Sequence, residues 1–257
     1  MTARPQTDAT TVAAEGLHRP WGLMAILALV WFGLLALFAA FPALDLAAAS
    51  AFFSERTCDP AQDLATSTVC GQFPAAASTG LKVLRYSLYY LPHLFGIVLL
   101  VLIIRSWKQA AEAAFRRKAI IYLAGLLAGP LLLVNGILKQ VSHRPRPYET
   151  DLFGGALDFV AAGDFSGACL RNCSFISGEA SGMGWVMCLG LIAAARFGAP
   201  TWPALAVACL TGAFLRVAFG GHYLSDAVLG FASSPLVLCL AAVIIGWPKP
   251  AGGTARP

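Results

Sequence analysis

The sequence predicts an all-α protein, a polytopic membrane bundle of six transmembrane helices. The chain has 257 residues, of which 58% are hydrophobic and only 12% are charged. A soluble domain of this length usually carries about 25% charged residues. Six apolar stretches are also long enough to cross a hydrocarbon core of about 30 Å as helices. The sequence lacks the alternating apolar and polar ten-residue segments that are typical of membrane β-barrels.

Each predicted span is expected to be helical, because lipid offers the backbone no hydrogen-bond partners. Tryptophans stand at four of the predicted helix ends, as is common at membrane interfaces. Pro92, Pro130 and Pro235 fall inside spans and are expected to kink them. The predicted spans are Trp21–Leu44, Leu84–Trp107, Lys118–Leu138, Ala180–Phe197, Trp202–Phe219 and Leu224–Trp247.

One membrane domain is expected over residues 21–247. Residues 1–20 are polar and are expected to form a disordered cytoplasmic N-terminus, and residues 248–257 a cytoplasmic C-terminal tail. A signal peptide is an alternative for the first span, because Ala47-Ala48-Ala49 resembles a cleavage site. The apolar run before it is longer than the usual core of about 7–15 residues, which favours an uncleaved helix.

The distribution of basic residues predicts the orientation. Segment 105–118 contains five of the eighteen Lys and Arg residues, which favours a cytoplasmic location. With alternating spans, both termini are then cytoplasmic. The total bias is ten basic residues against eight, and several of the eight belong to the motifs described below.

Four cysteines fall in the two long loops on the opposite side. Cys58 lies near Cys70, and Cys169 lies near Cys173. These pairs predict two disulfides in an oxidising compartment such as a bacterial periplasm. A metal site is the alternative, but no histidine lies near either pair in the sequence.

Three polar clusters stand at helix ends. The first, KQVSHRPRP, begins at Lys139 and includes Arg146. Snorkelling toward the interface accounts for one cation at such a position, but poorly for several. Pro145 and Pro147 hold this segment extended, which limits where Arg144 and Arg146 point.

The second cluster contains Ser177 and Gly178 at the expected start of the fourth helix. A helix N-terminus offers free N–H groups and partial positive charge, which suit a phosphate. An ordinary capped membrane helix with a small-residue packing face is the alternative.

The third cluster contains Arg216, His222 and Asp226. His222 and Asp226 lie one helical turn apart if the sixth helix starts at or before His222. A carboxylate there can fix the imidazole tautomer, although a purely structural pair is the alternative.

Together these clusters resemble the three-part signature of the type-2 phosphatidic acid phosphatase superfamily, in its six-helix membrane branch. The resemblance implies that Lys139, Arg146 and Arg216 bind phosphate, together with Ser177 and the Gly178 N–H. It implies that His222 attacks phosphorus and forms a phosphohistidine, with Asp226 orienting the imidazole. It implies no metal and no cofactor, since three cations can offset the phosphate charge.

Two positions depart from the family pattern. Leu215 stands where the third motif usually has Ser. Glu179 follows Ser177-Gly178 where the family has the histidine that protonates the leaving oxygen. Glu179 is therefore the predicted catalytic acid, and His143 is an alternative route for the proton.

The predicted function is an integral membrane lipid phosphatase of the bacterial inner membrane, multi-pass, with its site on the periplasmic side. The expected partners are a phosphorylated lipid and the surrounding membrane lipids, with no nucleic acid and no protein partner. Lipid A is favoured, and undecaprenyl diphosphate, phosphatidylglycerol phosphate and phosphatidic acid remain open. A phosphotransferase between lipids and a non-catalytic phospholipid-binding relative are the alternatives. A pore or ion-coupled transporter is disfavoured, because its ionisable groups should lie near mid-membrane.

Other polar residues are given lesser roles. His93 is expected to be structural, and Arg171 to be solvated. Asp151, Asp158 and Asp164 are interpreted as solvated, with a charged lid as the alternative.

Overall fold

Helices form nearly all the regular structure of the computed structural model, which describes residues 20–59, 61, 69–197 and 201–248. The predicted N-terminal segment 1–20 and tail 248–257 lie almost wholly outside these ranges. The helices are α1 (Pro20–Ala40), α2 (Ala43–Ser50), α3 (Pro74–Ala77), α4 (Thr79–Ser106), α5 (Ala113–Leu126), α6 (Lys139–Val141), α7 (Gly178–Phe197), α8 (Thr201–Ala218) and α9 (Leu224–Ile245). Short 3₁₀ turns occupy Ala110–Glu112, Pro147–Glu149 and Asp151–Phe153, and two short strands, β1 (Ser54–Arg56) and β2 (Cys70–Gln72), pair antiparallel.

The third predicted span is one long helix with a widened middle. Its α5 part passes into a π-helical segment, Leu127–Leu138, which returns to α geometry at α6. Pro130 lies inside this segment, where it lacks an N–H and its ring crowds the preceding turn. By contrast, α4 and α9 continue through Pro92 and Pro235.

Helix α7 lies at the centre of the bundle, packed against α4, α8 and α9. Its first turns are buried almost all round, and Trp185 donates a hydrogen bond to the Tyr122 carbonyl at 2.8 Å. Gly184 lets α7 approach α9 closely, because a Cβ there would lie 2.2 Å from the Phe231 carbonyl oxygen. These contacts fix where the first residues of α7 stand.

Helix α1 lies on the outside of α9, and many of its apolar side chains are exposed. Trp31 on α1 donates to the Leu229 carbonyl at 3.0 Å. The chain then turns into α2 and the β1–β2 hairpin, and these cover the end of the bundle where α7 begins. Phe53, Phe73 and Phe153 form an aromatic cluster there.

Within the described ranges, four helices are long and apolar enough to cross a membrane: Trp21–Ala40, Thr79–Ser106, Ala110–Val141 and Leu224–Ile245. The prediction of a helical membrane bundle is confirmed at this level. The other two predicted spans form helices, α7 and α8. Helix α8 is a shorter apolar helix, Trp202–Ala218, and α7 carries polar and small residues that face neighbouring helices.

Candidate active site

Backbone hydrogen bonds join the three motif segments, although they are far apart in sequence. The Cys173 and Ser174 N–H groups donate to the carbonyls of Lys139 and Arg144, at 3.0 and 2.8 Å. The Ser177 N–H donates to the Asp226 carbonyl at 2.9 Å. These bonds bring the ends of α6, α7, α8 and α9 to one place.

A cavity of about 650 Å³ opens beside this junction. Of the predicted site residues, Lys139, Arg146, Gly178, Glu179 and Arg216 line it. Ser177, His222 and Asp226 are buried and are not among its lining residues. Away from the cations, the lining becomes apolar: Pro92, Leu126, Leu127, Pro130 and Leu131.

Arg146 is held by the loop before α7. Its Nη2 and Nε donate to the Asn172 carbonyl at 2.8 and 3.2 Å. Its own N–H donates to the Glu149 carboxylate at 2.8 Å. Asn172 has a positive φ of 52° and lies between Cys169 and Cys173. The loop therefore fixes the arginine that faces the cavity.

The start of α7 has the form predicted for it. The Ser177 hydroxyl accepts a hydrogen bond from the Ala180 N–H at 3.3 Å, as an N-cap does. Gly178 packs against Asn135 of the π-helical segment, where a Cβ would lie 2.6 Å from the amide oxygen. Glycine thus allows this close approach without displacing the Asn135 amide, and Gly178 lines the cavity.

His222 is held mainly by a backbone carbonyl. Its Nδ1 donates to the Ser174 carbonyl at 2.7 Å, and Asp226 Oδ2 lies farther away, at 3.8 Å. The Ser174 hydroxyl donates to that same Asp226 oxygen. Because a carbonyl only accepts, the proton stays on Nδ1 and the lone pair is on Nε2. Burial lowers the pKa of His222 well below its ordinary value, and the Arg216 and Lys139 charges act in the same direction.

Arg144 is fully buried between two carboxylates. Its guanidinium donates to Asp45 Oδ2 and to Asp226 Oδ1, both at 2.7 Å, and to the Ser225 hydroxyl at 2.8 Å. Burial alone would lower the pKa of Arg144, but Asp226 and Asp45 raise it above its ordinary value. Asp45 also accepts from the Ser225 N–H at 2.7 Å. Asp226 is therefore fixed from a side that the sequence motifs did not indicate.

Glu179 pairs with two arginines. Arg85 of α4 donates from Nε to Oε2 at 3.0 Å and makes a second contact, from Nη2 to Oε1. Arg216 Nε lies 3.3 Å from Oε1, without a hydrogen bond to any described residue. Arg85 also lines the cavity, so four cationic side chains surround it.

The remaining polar residues lie away from the cations or on the surface. The His143 ring donates to the Cys169 carbonyl at 2.9 Å and does not line the cavity. His93 lines its apolar part and donates to the Tyr89 carbonyl at 3.1 Å. Arg171 is exposed, as are Asp151, Asp158 and Asp164.

The predicted disulfides are confirmed. Cys58 is bonded to Cys70, and Cys169 to Cys173. The first closes the hairpin segment, and the second closes the loop that holds Arg146. Both bonds lie on the same end of the bundle as the cavity.

Comparison with known proteins identifies the family of this chain. The profile of the PAP2 superfamily matches residues 118–250. The lipid A 4'-phosphatase of Rhizobium etli is 42% identical over 86% of this chain and 88% of its own length. The lipid A 4'-phosphatase of Rhizobium leguminosarum is 41% identical over 81% of this chain and 90% of its own length. The lipid A 4'-phosphatase of Francisella tularensis subsp. novicida is 31% identical over 61% of this chain and 72% of its own length. No solved structure matches the chain.

The chain therefore belongs to the PAP2 superfamily, as the sequence predicted. The match begins at Lys118, so α1, α2 and all of α4 lie outside the profile. Asp45 and Arg85 belong to this outer part. Two signals could have found them: Asp45 is a lone carboxylate in the apolar run FPALDLAAAS, and Arg85 is a cation within a span that is otherwise largely apolar. Nothing in the sequence marks the Ser174 carbonyl.

We expect Asp45→Ala to lower the free energy of unfolding by about 3 kcal/mol, because breaking a buried ion pair costs about 3–5 kcal/mol. The loss is expected at the low end of this range because Arg144 still pairs with Asp226. The measurement is the free energy of unfolding in mixed detergent micelles. Asp164→Ala is the control, since Asp164 is exposed and hydrogen-bonds to its near neighbour in the loop, Ser166. Equal losses in both variants would contradict the buried network.

Proposed function

We propose that this protein is a lipid A 4'-phosphatase that works through a phosphohistidine on His222. At the coarser level it is a membrane phosphatase that acts on a lipid phosphate, in keeping with its family and relatives. The observation that carries the proposal is the convergence of Lys139, Arg146 and Arg216 on one cavity. The buried His222, whose lone pair is on Nε2, lies close enough to Arg216 and Lys139 to feel their charges. The two Rhizobium relatives favour lipid A over the other lipids.

The cations supply the binding energy for phosphate. Arginine can contact two phosphate oxygens at once, and lysine adds a compact charge. The Gly178 N–H at the start of α7 adds a donor and the partial positive charge of a helix N-terminus. The same groups stabilise the charge that spreads over the equatorial oxygens during transfer.

His222 performs the first chemical step. Its Nε2 lone pair forms the N–P bond as the bond from phosphorus to the lipid oxygen breaks in line. The Nδ1 proton stays on the ring, held by Ser174, and Asp226 stabilises the charge that develops on the imidazole. Water then attacks the phosphohistidine, releases inorganic phosphate and restores the neutral ring.

Glu179 performs the proton transfers in this proposal. The bound phosphate competes with Glu179 for Arg216, and the Glu179 oxygen that Arg216 leaves can then pass a proton to the leaving oxygen while Arg85 still contacts the carboxyl group. In the second step the carboxylate accepts a proton from the attacking water. The Ser177 hydroxyl keeps its role as the cap of α7, which holds the Gly178 N–H toward the phosphate.

The proposed topology has six spans, over residues 21–247, with residues 1–20 and 248–257 on the cytoplasmic side. Helix α7 can cross the membrane despite its polar residues, because neighbouring helices surround it. Helix α8 exposes Val207, Leu210 and Phe214, as a lipid-facing helix does. The two disulfides favour a periplasmic location for the cavity in a bacterial inner membrane.

The substrate proposal is tested by phosphate release in detergent from lipid A, undecaprenyl diphosphate and phosphatidate. We expect release from lipid A, and background release only from His222→Ala, because the nucleophile is then absent. Release from another lipid alone would reject lipid A. Transfer of labelled phosphate to a second lipid would favour the phosphotransferase, and release by neither protein would favour the non-catalytic relative.

We expect kcat/KM to stay high as the pH falls through 6.5, the ordinary pKa of histidine, and to decline only at lower pH. Burial lowers the pKa of His222, so a lower pH is needed to protonate Nε2 and remove the attacking lone pair. The substrate's own titration is followed by phosphorus NMR in the same micelles. A decline centred above pH 6.5 that does not follow the substrate would contradict the neutral nucleophile.

Labelling in intact cells tests the orientation. A membrane-impermeant maleimide should label Asp164→Cys, which lies on the loop near the cavity, without lysis. The matched variant is Lys108→Cys, exposed between α4 and α5, and it should react only after lysis. The reverse pattern would place the site in the cytoplasm, and the cysteine-containing parent protein gives the background.

A further inference from the structure

Arg85 is a charged cavity residue that the three motifs do not include. It lies on α4, outside the matched region 118–250, and it lines the same cavity as Lys139 and Arg216. A partly buried guanidinium on an apolar helix near the bilayer is costly and needs a partner. Its partner is Glu179, which stands at the position where this chain departs from its family.

The contact between Arg85 and Glu179 is two-pronged. Two guanidinium nitrogens meet the two carboxylate oxygens, which fixes the angle of the carboxyl group as well as its position. The Arg85 guanidinium also lies over the rings of Tyr86 and Phe219, at 5.1 and 5.7 Å. These rings hold the arginine while its fork faces Glu179.

The second arginine beside Glu179 makes a weaker contact. Arg216 Nε is buried and 3.3 Å from the carboxylate, but it makes no hydrogen bond to a described residue. An incoming phosphate can therefore bind Arg216 while Arg85 keeps its hold on Glu179. The two arginines then have different tasks, although they flank one carboxylate.

Glu179 lies between the cations and the apolar part of the cavity. Gly182, one turn further along α7, packs against Pro92 of α4, where the lining is apolar. A lipid phosphate bound by Lys139, Arg146 and Arg216 would extend its lipid part in that direction. The oxygen that leaves phosphorus would then pass close to Glu179.

We propose that Arg85 is a positioning residue that holds the Glu179 carboxyl beside the leaving oxygen while Arg216 binds the phosphate. This inference rests on the proposed function. A purely structural role accounts poorly for the pair, because the side chains remain 21% and 15% exposed and partly exposed ion pairs contribute little to stability. Helix α4 is held in the bundle by Leu88, Leu99 and Ile103, which are buried in the main apolar core.

The test is a double-mutant cycle on the purified full-length protein, with Arg85→Met, Glu179→Gln and the double variant. We expect Arg85→Met to lower kcat by about 10- to 100-fold with little change in KM, since small misplacements of a reacting group cost rates of this order. In the Glu179→Gln background the same change should have little further effect. Arg85→Lys, which keeps the charge but loses the fork, should recover part of the rate.

Lys82→Met is the matched control, because Lys82 is an exposed cation one turn earlier on α4 and does not line the cavity. Its kcat should equal that of the parent.

If Arg85→Met does not fold, as judged by thermal unfolding, the cycle is run with Arg85→Lys. If the rate losses of the two single variants multiply in the double variant, or if the loss falls on KM, Arg85 contacts the substrate directly and the inference is overturned. An unchanged kcat in Arg85→Met would also overturn it. His222→Ala run in parallel separates this failure from that of the proposed function, since activity that survives His222→Ala removes both proposals.

Discussion

Arg144 lies without solvent contact between Asp45 and Asp226, and the geometry of the site depends on this one charge. A buried guanidinium is tolerated only when its donors are matched, and here two carboxylates and the Ser225 hydroxyl match them. Arg144 belongs to the first motif, Asp45 to α2, and Ser225 and Asp226 to the third motif. Their mutual attraction therefore ties the outer part of the chain to the segment that carries His222.

The cavity holds a second charge balance. Lys139, Arg146, Arg216 and Arg85 crowd one space of low polarity, where like charges repel strongly. Glu179 offsets two of them, and the Asn172 carbonyl offsets Arg146 through two hydrogen bonds. A cluster with this excess of positive charge is suited to an anion, and the acceptors that partly offset it are fixed to α7 and to a disulfide-closed loop.

The rigid setting also decides how the histidine works. In the sequence His222 and Asp226 form a pair at helical spacing, and a direct contact is the natural interpretation. In the fold His222 precedes the first residue of α9, so its Nδ1 meets the Ser174 carbonyl and Asp226 acts largely through Ser174. Asp226 instead caps α9 by accepting from the Tyr223 N–H at 3.0 Å. One carboxylate thus serves the helix, Arg144 and the imidazole together.

The sequence by itself determined the helical membrane class, the two disulfides, the family and three of the cations that line the cavity, because apolar run length, cysteine position and motif spacing are local properties. Only the tertiary structure decided that Arg144 is a buried tie, that Arg85 holds Glu179, and that Ser174 fixes the histidine tautomer. Arg85 and Glu179 are 94 positions apart in the sequence, and Ser174 and His222 are 48 positions apart. Contacts of that kind depend on which helix ends meet, and the packing of α7 between its neighbours, not the pattern of any one segment, sets where those ends lie.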